Sequence, residues 1–227
     1  AVDYDNDGDL DLYVAVGAWF PDQSGLDLLL RNDGGVFTEV AEAAGLTDSL
    51  PADNAIWLDY DRDGLLDLYV GHWGSPGLRN SLYRNNGDGR FIDMTQEAGL
   101  GLQLSEGGGS AQGMVAGDFN DDGWPDLYLG IFRAPNRLFL NHGQGGLLDA
   151  TNEEADDSGE AFGVAVGDID NDGDLDLFQA SGAGVTVIGE RSLMLLNLGE
   201  GQFLDVTEGV GLSALAQGQT RGAALAD

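Results

Sequence analysis

The chain of 227 residues has no cysteine and no lysine, only two histidines and only five prolines. Without cysteine, a disulfide scaffold and any thiolate zinc site are excluded. Nine arginines face 40 aspartates and glutamates, a formal net charge of −31. No basic footprint is left to release counterions from a nucleic acid or to hold an anionic membrane surface. No apolar run approaches the ~18 residues of a membrane span, so membrane insertion is not expected. Catalytic signals are equally sparse. There is no nucleophile motif, no phosphate-binding glycine loop and no lysine base, and the chain is read as non-enzymatic.

What is present is apolar material and aspartate. The hydrophobic fraction is 42%, with 9 Phe, 6 Tyr and 4 Trp. Chains this acidic usually fail to fold because they cannot bury enough apolar surface. This one carries enough for a core. Thirty of its 40 acidic residues are Asp, and that imbalance needs a cause.

The cause is a repeat. Asp3-Tyr-Asp-Asn-Asp-Gly-Asp-Leu-Asp11 recurs as Asp59-Tyr-Asp-Arg-Asp-Gly-Leu-Leu-Asp67, as Asp118-Phe-Asn-Asp-Asp-Gly-Trp-Pro-Asp126 and as Asp168-Ile-Asp-Asn-Asp-Gly-Asp-Leu-Asp176. The starts lie 56, 59 and 50 residues apart. A second element follows in phase, as in Leu82-Tyr-Arg-Asn-Asn-Gly-Asp-Gly-Arg-Phe91, then Ile92-Asp-Met-Thr-Gln-Glu-Ala-Gly-Leu100. The repeat units run over about 1–54, 55–113, 114–163 and 164–222, and a fifth begins at 223–227.

Each unit reads as four short strands. The first precedes the acidic loop, at Ala55–Leu58, Met114–Ala116, Val164–Val166 and Ala223–Leu225. The second follows it, at Leu10–Val16, Leu66–Val70, Leu127–Ile131 and Leu175–Gln179. The third spans Leu28–Arg31, Ser81–Arg84, Arg137–Leu140 and Leu193–Leu196. Asn and Gly then supply the positive φ of a tight hairpin, and a fourth strand follows. Four short strands per 50–59 residues define an all-β chain, a β-propeller of four-stranded blades with the acidic loop between first and second strands. Blades must stack to bury their faces, and small residues in the first strand suit a crowded inner position. Both ends cut through the motif, so the array is read as part of a longer propeller. The alternative is a small ring in which Ala223–Leu225 completes the first blade.

The loop spacing Asp-x-Asp-x-Asp-Gly-x-x-Asp is that of a calcium loop. Positions 1, 3, 5 and 9 carry the side-chain oxygens. These are Asp3, Asp5, Asp7 and Asp11; Asp59, Asp61, Asp63 and Asp67; Asp118, Asn120, Asp122 and Asp126; and Asp168, Asp170, Asp172 and Asp176. Gly at position 6 permits the turn that brings in the carbonyl of position 7, from Asp9, Leu65, Trp124 and Asp174. An EF-hand would close on Glu at position 12, and none is acidic there. Hard oxygen donors in a flexible loop favour Ca²⁺ over Mg²⁺ or zinc. About four Ca²⁺ ions are expected, the third site being weaker because Asn120 is neutral.

Phe162-Gly-Val-Ala-Val-Gly-Asp168 and the loop after it resemble an FG-GAP repeat, the blade unit of integrin alpha-chain propellers and of bacterial VCBS repeats. The element at Leu82–Leu100 resembles the subset found with ASPIC/UnbV and cartilage acidic proteins. The resemblance covers essentially the whole chain. It implies a propeller, calcium in the loops and an extracellular or cell-surface setting. The partner would be a protein or glycan at the cell surface or in the matrix. The Phe-Gly pair itself occurs only at Phe162-Gly163, and the third repeat has Gln112-Gly113.

Three other readings stay open. A lectin-like propeller would use Trp19, Trp57, Trp73 or Trp124 to stack on sugar rings, although Trp57 lies in a predicted core strand. A non-catalytic part of a secreted polysaccharide-active enzyme would use a binding face near His72, whereas His142 belongs to a solvated turn. The third is a self-associating filament subunit.

Overall fold

The computed structural model describes residues 1–17, 26–48, 50–72, 80–100, 110–143, 145–156, 159–182, 191–212 and 222–224. Trp19, Trp73, Leu225 and Asp227 lie outside them, and Ala223 and Ala224 carry no strand. The first sheet holds β1 (Leu12–Val14), β2 (Leu28–Asp33) and β3 (Val36–Glu39), followed by the single helical turn α1 (Ala41–Ala44). The second holds β4 (Ala52–Leu58), β5 (Asp67–His72), β6 (Ser81–Asn85) and β7 (Phe91–Asp93). The third holds β8 (Ser110–Gly117), β9 (Asp126–Phe132), β10 (Arg137–Asn141) and β11 (Leu147–Asp149). The fourth holds β12 (Ala161–Gly167), β13 (Asp176–Ser181), β14 (Leu193–Asn197) and β15 (Phe203–Asp205).

Every pairing is antiparallel between chain neighbours, the up-and-down order of a propeller blade. Three blades have four strands. In the first, Val2 makes one bridge with Asp11 beside the three strands. Second strands such as β5 and β9 are buried along nearly their whole length. They are covered on both faces, so Leu68-Tyr-Val70 and Leu127-Tyr-Leu129 are continuous apolar runs rather than alternating ones.

The core lies between blades, not within one. Tyr4 and Leu29 of blade one pack with Leu68, Val70 and Phe91 of blade two. Leu58, Tyr60 and Tyr69 of blade two pack with Met114, Leu129 and Leu147 of blade three. Phe119 and Tyr128 of blade three pack with Leu177, Leu195 and Phe203 of blade four. Blades two and three are thus each half of two cores, which is why a single blade would not be stable alone.

The inner strands start earlier than the sequence pattern suggests. β4, β8 and β12 each carry a register shift near the N-terminus, leaving Asp53, Gln112 and Phe162 as the extra residue of a bulge. A bulge breaks the alternation from which a strand is read, so the residues before it were not recognisable as strand. Close approach of blades then demands small residues. A Cβ on Gly71 would lie 2.7 Å from the Ala111 carbonyl oxygen, and one on Gly113 would lie 2.8 Å from Val164 Cγ2.

Candidate metal centres

The four acidic loops share one backbone path. Position 4 is left-handed although it is not glycine, with φ of 58° at Asn6, 57° at Arg62, 57° at Asp121 and 62° at Asn171. Position 6 is glycine with φ of 96°, 88°, 84° and 104° at Gly8, Gly64, Gly123 and Gly173. A side chain at position 6 would be strained there, so the glycine is required by the turn and not by packing.

This path folds the carboxylates back on the loop. Position 1 accepts the amide of position 6. Asp3 Oδ2 receives Gly8 N at 3.0 Å, and the same bond is made by Asp59 to Gly64, Asp118 to Gly123 and Asp168 to Gly173. Position 5 accepts the amide of position 7. Asp7, Asp63, Asp122 and Asp172 receive the amides of Asp9, Leu65, Trp124 and Asp174, each at 2.9 Å. Position 9 is fully buried and has both oxygens in use. Asp67 Oδ2 accepts Tyr60 N at 3.0 Å and its Oδ1 accepts Asn85 N at 2.8 Å. Asp11, Asp126 and Asp176 repeat this pair of bonds.

Positions 1, 3 and 9 converge. In the triads Asp3–Asp5–Asp11, Asp59–Asp61–Asp67 and Asp168–Asp170–Asp176, a carboxylate oxygen from each residue lies within 4.8 Å of the others. The third loop places Asp118, Asn120 and Asp126 on the same path but has one carboxylate fewer. The carboxylates of position 5, Asp7, Asp63 and Asp172, stand outside these triads.

The electrostatics are those of a site short of positive charge. Burial pushes the Asp67 carboxyl up to about 7, and Asp61 and Asp63 add repulsion, against the two backbone amides it accepts. Asp126 is pushed up to about 6 for the same reasons, with Asp122 and Asp118 as its neighbours. Asp5 and Asp61 are also raised, first by burial and then by the carboxylates of position 5. Two triad oxygens, Asp5 Oδ1 and Asp59 Oδ1, are buried and accept no hydrogen bond. A buried carboxylate oxygen without a donor is costly, and a cation is what would satisfy it. The residues present therefore fit a hard dication bound by oxygen.

A further set of residues belongs to the site. The asparagine that closes each third strand reads in sequence as turn chemistry. In the structure it is a latch. The backbone amides of Asn32, Asn85, Asn141 and Asn197 bind the aspartate of position 9. Their side-chain oxygens accept the amide of a turn glycine, as from Gly87 to Asn85 at 3.0 Å. Their side-chain Nδ2 donates to the carbonyl of position 8. In three of them Nδ2 also crosses to the preceding blade. Asn85 donates to Tyr4 O at 2.8 Å, Asn141 to Tyr60 O at 2.7 Å and Asn197 to Phe119 O at 2.8 Å. The only signal for this in the sequence is the recurrence of Asn two residues before a turn Gly.

Of the residues weighed for a binding face, Trp19 and Trp73 lie outside the described residues. Trp57 packs among Tyr4, Tyr13 and Phe91 with ring centroids 6.0–6.4 Å away, so it belongs to the core. Trp124 lies under the Arg62 guanidinium at 5.3 Å, joining the second and third loops. His142 is half exposed, 3.9 Å from Asp122 Oδ2. His72 is buried and cannot line an open face. Its Nε2 lies 3.2 Å from Ser81 Oγ and 3.3 Å from Asp48 Oδ2. Asp48 and Ser81 thus address the same ring nitrogen. A nucleophile–base–orienter order needs them on opposite nitrogens.

Fold and loops together define a repeat array of propeller blades with an acidic turn at the start of each second strand. The FG-GAP-like repeat model matches residues 3–70, 72–129 and 118–178, and the chain belongs to this family. It is 29% identical to cartilage acidic protein 1 of Xenopus tropicalis over 173 residues, 70% of this chain and 26% of that protein. It is 32% identical to the Homo sapiens cartilage acidic protein 1 over 115 residues, 49% of this chain and 16% of that one. The chain thus spans about a quarter or less of the length of these relatives. Among solved structures, an Agrocybe aegerita lectin that recognises non-reducing terminal N-acetylglucosamine is similar at 17% identity and a TM-score of 0.47, over 86% of this chain and 51% of that one. Among the described residues, no helix is long and apolar enough to cross a membrane.

Proposed function

We propose that the chain is a calcium-stabilised, non-enzymatic repeat module that serves adhesion, matrix or surface scaffolding outside the cell. The observation that carries this reading is the convergence of three carboxylates within 4.8 Å in each of three loops, with two of their oxygens buried and unpartnered. Positions 1, 3 and 9 would hold the ion, with Asn120 in the place of a carboxylate in the third loop. Position 5 and the carbonyl of position 7 are the further oxygen donors that a calcium shell of six to eight would recruit. Bound Ca²⁺ supplies positive charge to a cluster that otherwise repels itself. It also ties the loop to the buried aspartate of position 9 and so to the third strand. Stability then rises with calcium by mass action.

The module would present a blade surface to a protein or glycan partner. The name that the relatives carry, cartilage acidic protein, supports a matrix setting. Such surroundings hold calcium at the ~10⁻⁴–10⁻³ M that loosely built extracellular sites require. The test is a thermal melt of the chelated protein against one with millimolar calcium. A rise of many degrees on adding calcium, not reproduced by magnesium, is expected. A melting curve that neither calcium nor chelator moves would sink the proposal.

A further inference from the structure

Aspartate or asparagine followed by glycine is a dipeptide that rearranges on its own. The glycine amide nitrogen can close a five-membered ring on the preceding side-chain carbonyl carbon, with no Cβ in the way. The chain has six Asp-Gly pairs, at Asp7, Asp33, Asp63, Asp88, Asp122 and Asp172, and one Asn-Gly pair, at Asn86. Almost all of their glycine nitrogens are tied down. Gly8, Gly64, Gly123 and Gly173 donate to the aspartates of loop position 1 at 2.8–3.2 Å. Gly34 donates to Asp9 Oδ2 at 2.7 Å, and Gly87 donates to Asn85 Oδ1 at 3.0 Å. Gly89 is the exception, because its amide has no acceptor among the described residues.

A tied nitrogen is a poor nucleophile. It must lose its proton and swing onto the side chain, so its hydrogen bond has to break first. Where the acceptor is a carboxylate, the bond is charge-assisted, and the nearby negative charge also opposes loss of the proton. Gly89 is free of both restraints. It sits in a turn closed by the Asn86 amide on the Arg90 carbonyl at 2.8 Å. Asp88 is exposed, so water reaches it. The corresponding turns of the next two blades carry Gln144-Gly145 and Glu200-Gly201, whose longer side chains would need a six-membered ring.

We propose that Asp88 is a site of spontaneous isoaspartate formation, and that the asparagine latch and the acidic-loop carboxylates protect the other pairs. The Gly89 nitrogen gives up its proton and bonds to Asp88 Cγ. The Cγ–OH bond breaks, and its oxygen leaves as water. Water then adds back to the ring. Breaking the new N–Cγ bond restores aspartate. Breaking the bond from Gly89 N to the main-chain carbonyl carbon of Asp88 leaves isoaspartate, with the chain running through Cβ and Cγ. No co-reactant other than water is needed. Asp88 and Gly89 line a cleft between the first two blades together with Asp5, Asp7 and Arg31. Rearrangement adds a methylene to the main chain of that wall and moves its carboxylate. The inference goes beyond the calcium reading and does not depend on it.

The experiment ages the 227-residue chain at neutral pH and body temperature, once folded and once unfolded in guanidinium. Peptide mapping with electron-transfer fragmentation locates isoaspartate, and the mass gain of deamidation reports on Asn86. In the folded chain, isoaspartate at Asp88 is expected to exceed that at every other Asp-Gly pair several-fold, with Asn86 intact. In guanidinium the order is expected to change, Asn86 reacting first and the Asp-Gly pairs reacting at similar rates. Asp88→Glu should melt with the parent and lose most of the isoaspartate that the folded chain accumulates. A folded chain in which another pair leads, or in which Asn86 reacts first, overturns the proposal. So does an Asp88 that stays unmodified while folded, or an Asp88→Glu chain that forms as much isoaspartate as the parent.

Discussion

The side-chain amide of Asn141 donates to the backbone carbonyl of Tyr60, 81 residues earlier and one blade away, over 2.7 Å. The same side chain accepts the amide of Gly143, and its backbone amide donates to a carboxylate oxygen of Asp126. One residue thereby joins the hairpin, the acidic loop and the neighbouring blade. Asn141→Ala strands the buried Tyr60 carbonyl as well as losing the turn bond. A loss of about 2–3 kcal/mol in unfolding free energy is expected. Asn32→Ala makes the comparison. Among the described residues its side chain has no partner on another blade, so the loss should be nearer ~0.5–1 kcal/mol. Equilibrium urea unfolding of the two variants measures both, and equal losses would show that the cross-blade bond contributes nothing.

Two aspartates of one loop should separate metal binding from folding. Asp61 belongs to the triad and, among the described residues, accepts only the Asp63 amide of its own loop, whereas Asp67 holds Tyr60 and Asn85 through both oxygens. Asp61→Asn is expected to leave the chelated protein close to the parent and to weaken calcium at that loop by about tenfold or more, roughly the 1.4 kcal/mol of one charged ligand. Asp67→Asn is expected to destabilise the protein with and without calcium. Calorimetric titration together with melts under both conditions checks this. Equal behaviour of the two variants would contradict the division.

How much of this could be read in the sequence depends on what each residue does. The loops were legible because ligand spacing is local, four oxygen donors within nine residues. The blades were legible because hairpins pair neighbours, and Tyr83–Asn85 lies against Phe91–Asp93 through a short turn. The latch was not legible, because Asn85 meets Tyr4 O across 81 residues and nothing in a turn asparagine marks a distant acceptor. Nor was the polar cluster around His72. Its partners Asp48 and Ser81 come from separate segments and do not recur in the other repeats. Even the Phe-Gly pair proves incidental at its first residue. Phe162 is the extra residue of a bulge, where blade two has Asp53 and blade three has Gln112.

That cluster sets an expectation for acid. Burial alone would raise the Asp48 carboxyl, but hydrogen bonds from His72, Tyr83 and Ser81 outweigh it and hold it below the usual carboxylate range. A carboxyl depressed in the folded state contributes stability above its unfolded pKa of about 4 and loses it as pH falls through the depressed folded value. Asp48→Asn should therefore be less stable than the parent at neutral pH, by about 1–3 kcal/mol. The gap should narrow below about pH 4. Urea midpoints of both proteins across an acid series test this. The loop carboxylates titrate in both chains alike, so the difference isolates Asp48. A gap that is constant with pH would assign the loss to shape rather than charge.

Two glycines should fail for opposite reasons. Gly64 has φ of +88° with nothing within 4 Å of a built Cβ, so Gly64→Ala strains only the backbone of the acidic loop. Its cost should be about 1–2 kcal/mol, and calcium affinity at that loop should fall with it. Gly71 has an ordinary φ, but its Cβ would lie 2.7 Å from Ala111 O on the next blade, with Met114 Sδ at 3.2 Å. The methionine can turn aside, whereas the carbonyl belongs to β8 and moves only if the blade moves. Gly71→Ala should cost about 3 kcal/mol or more and leave calcium affinity unchanged in whatever fraction folds. Unfolding free energy and calcium titration on both variants give four values. Only a propeller whose loops bind metal independently of blade spacing yields loss of both in the first and loss of stability alone in the second.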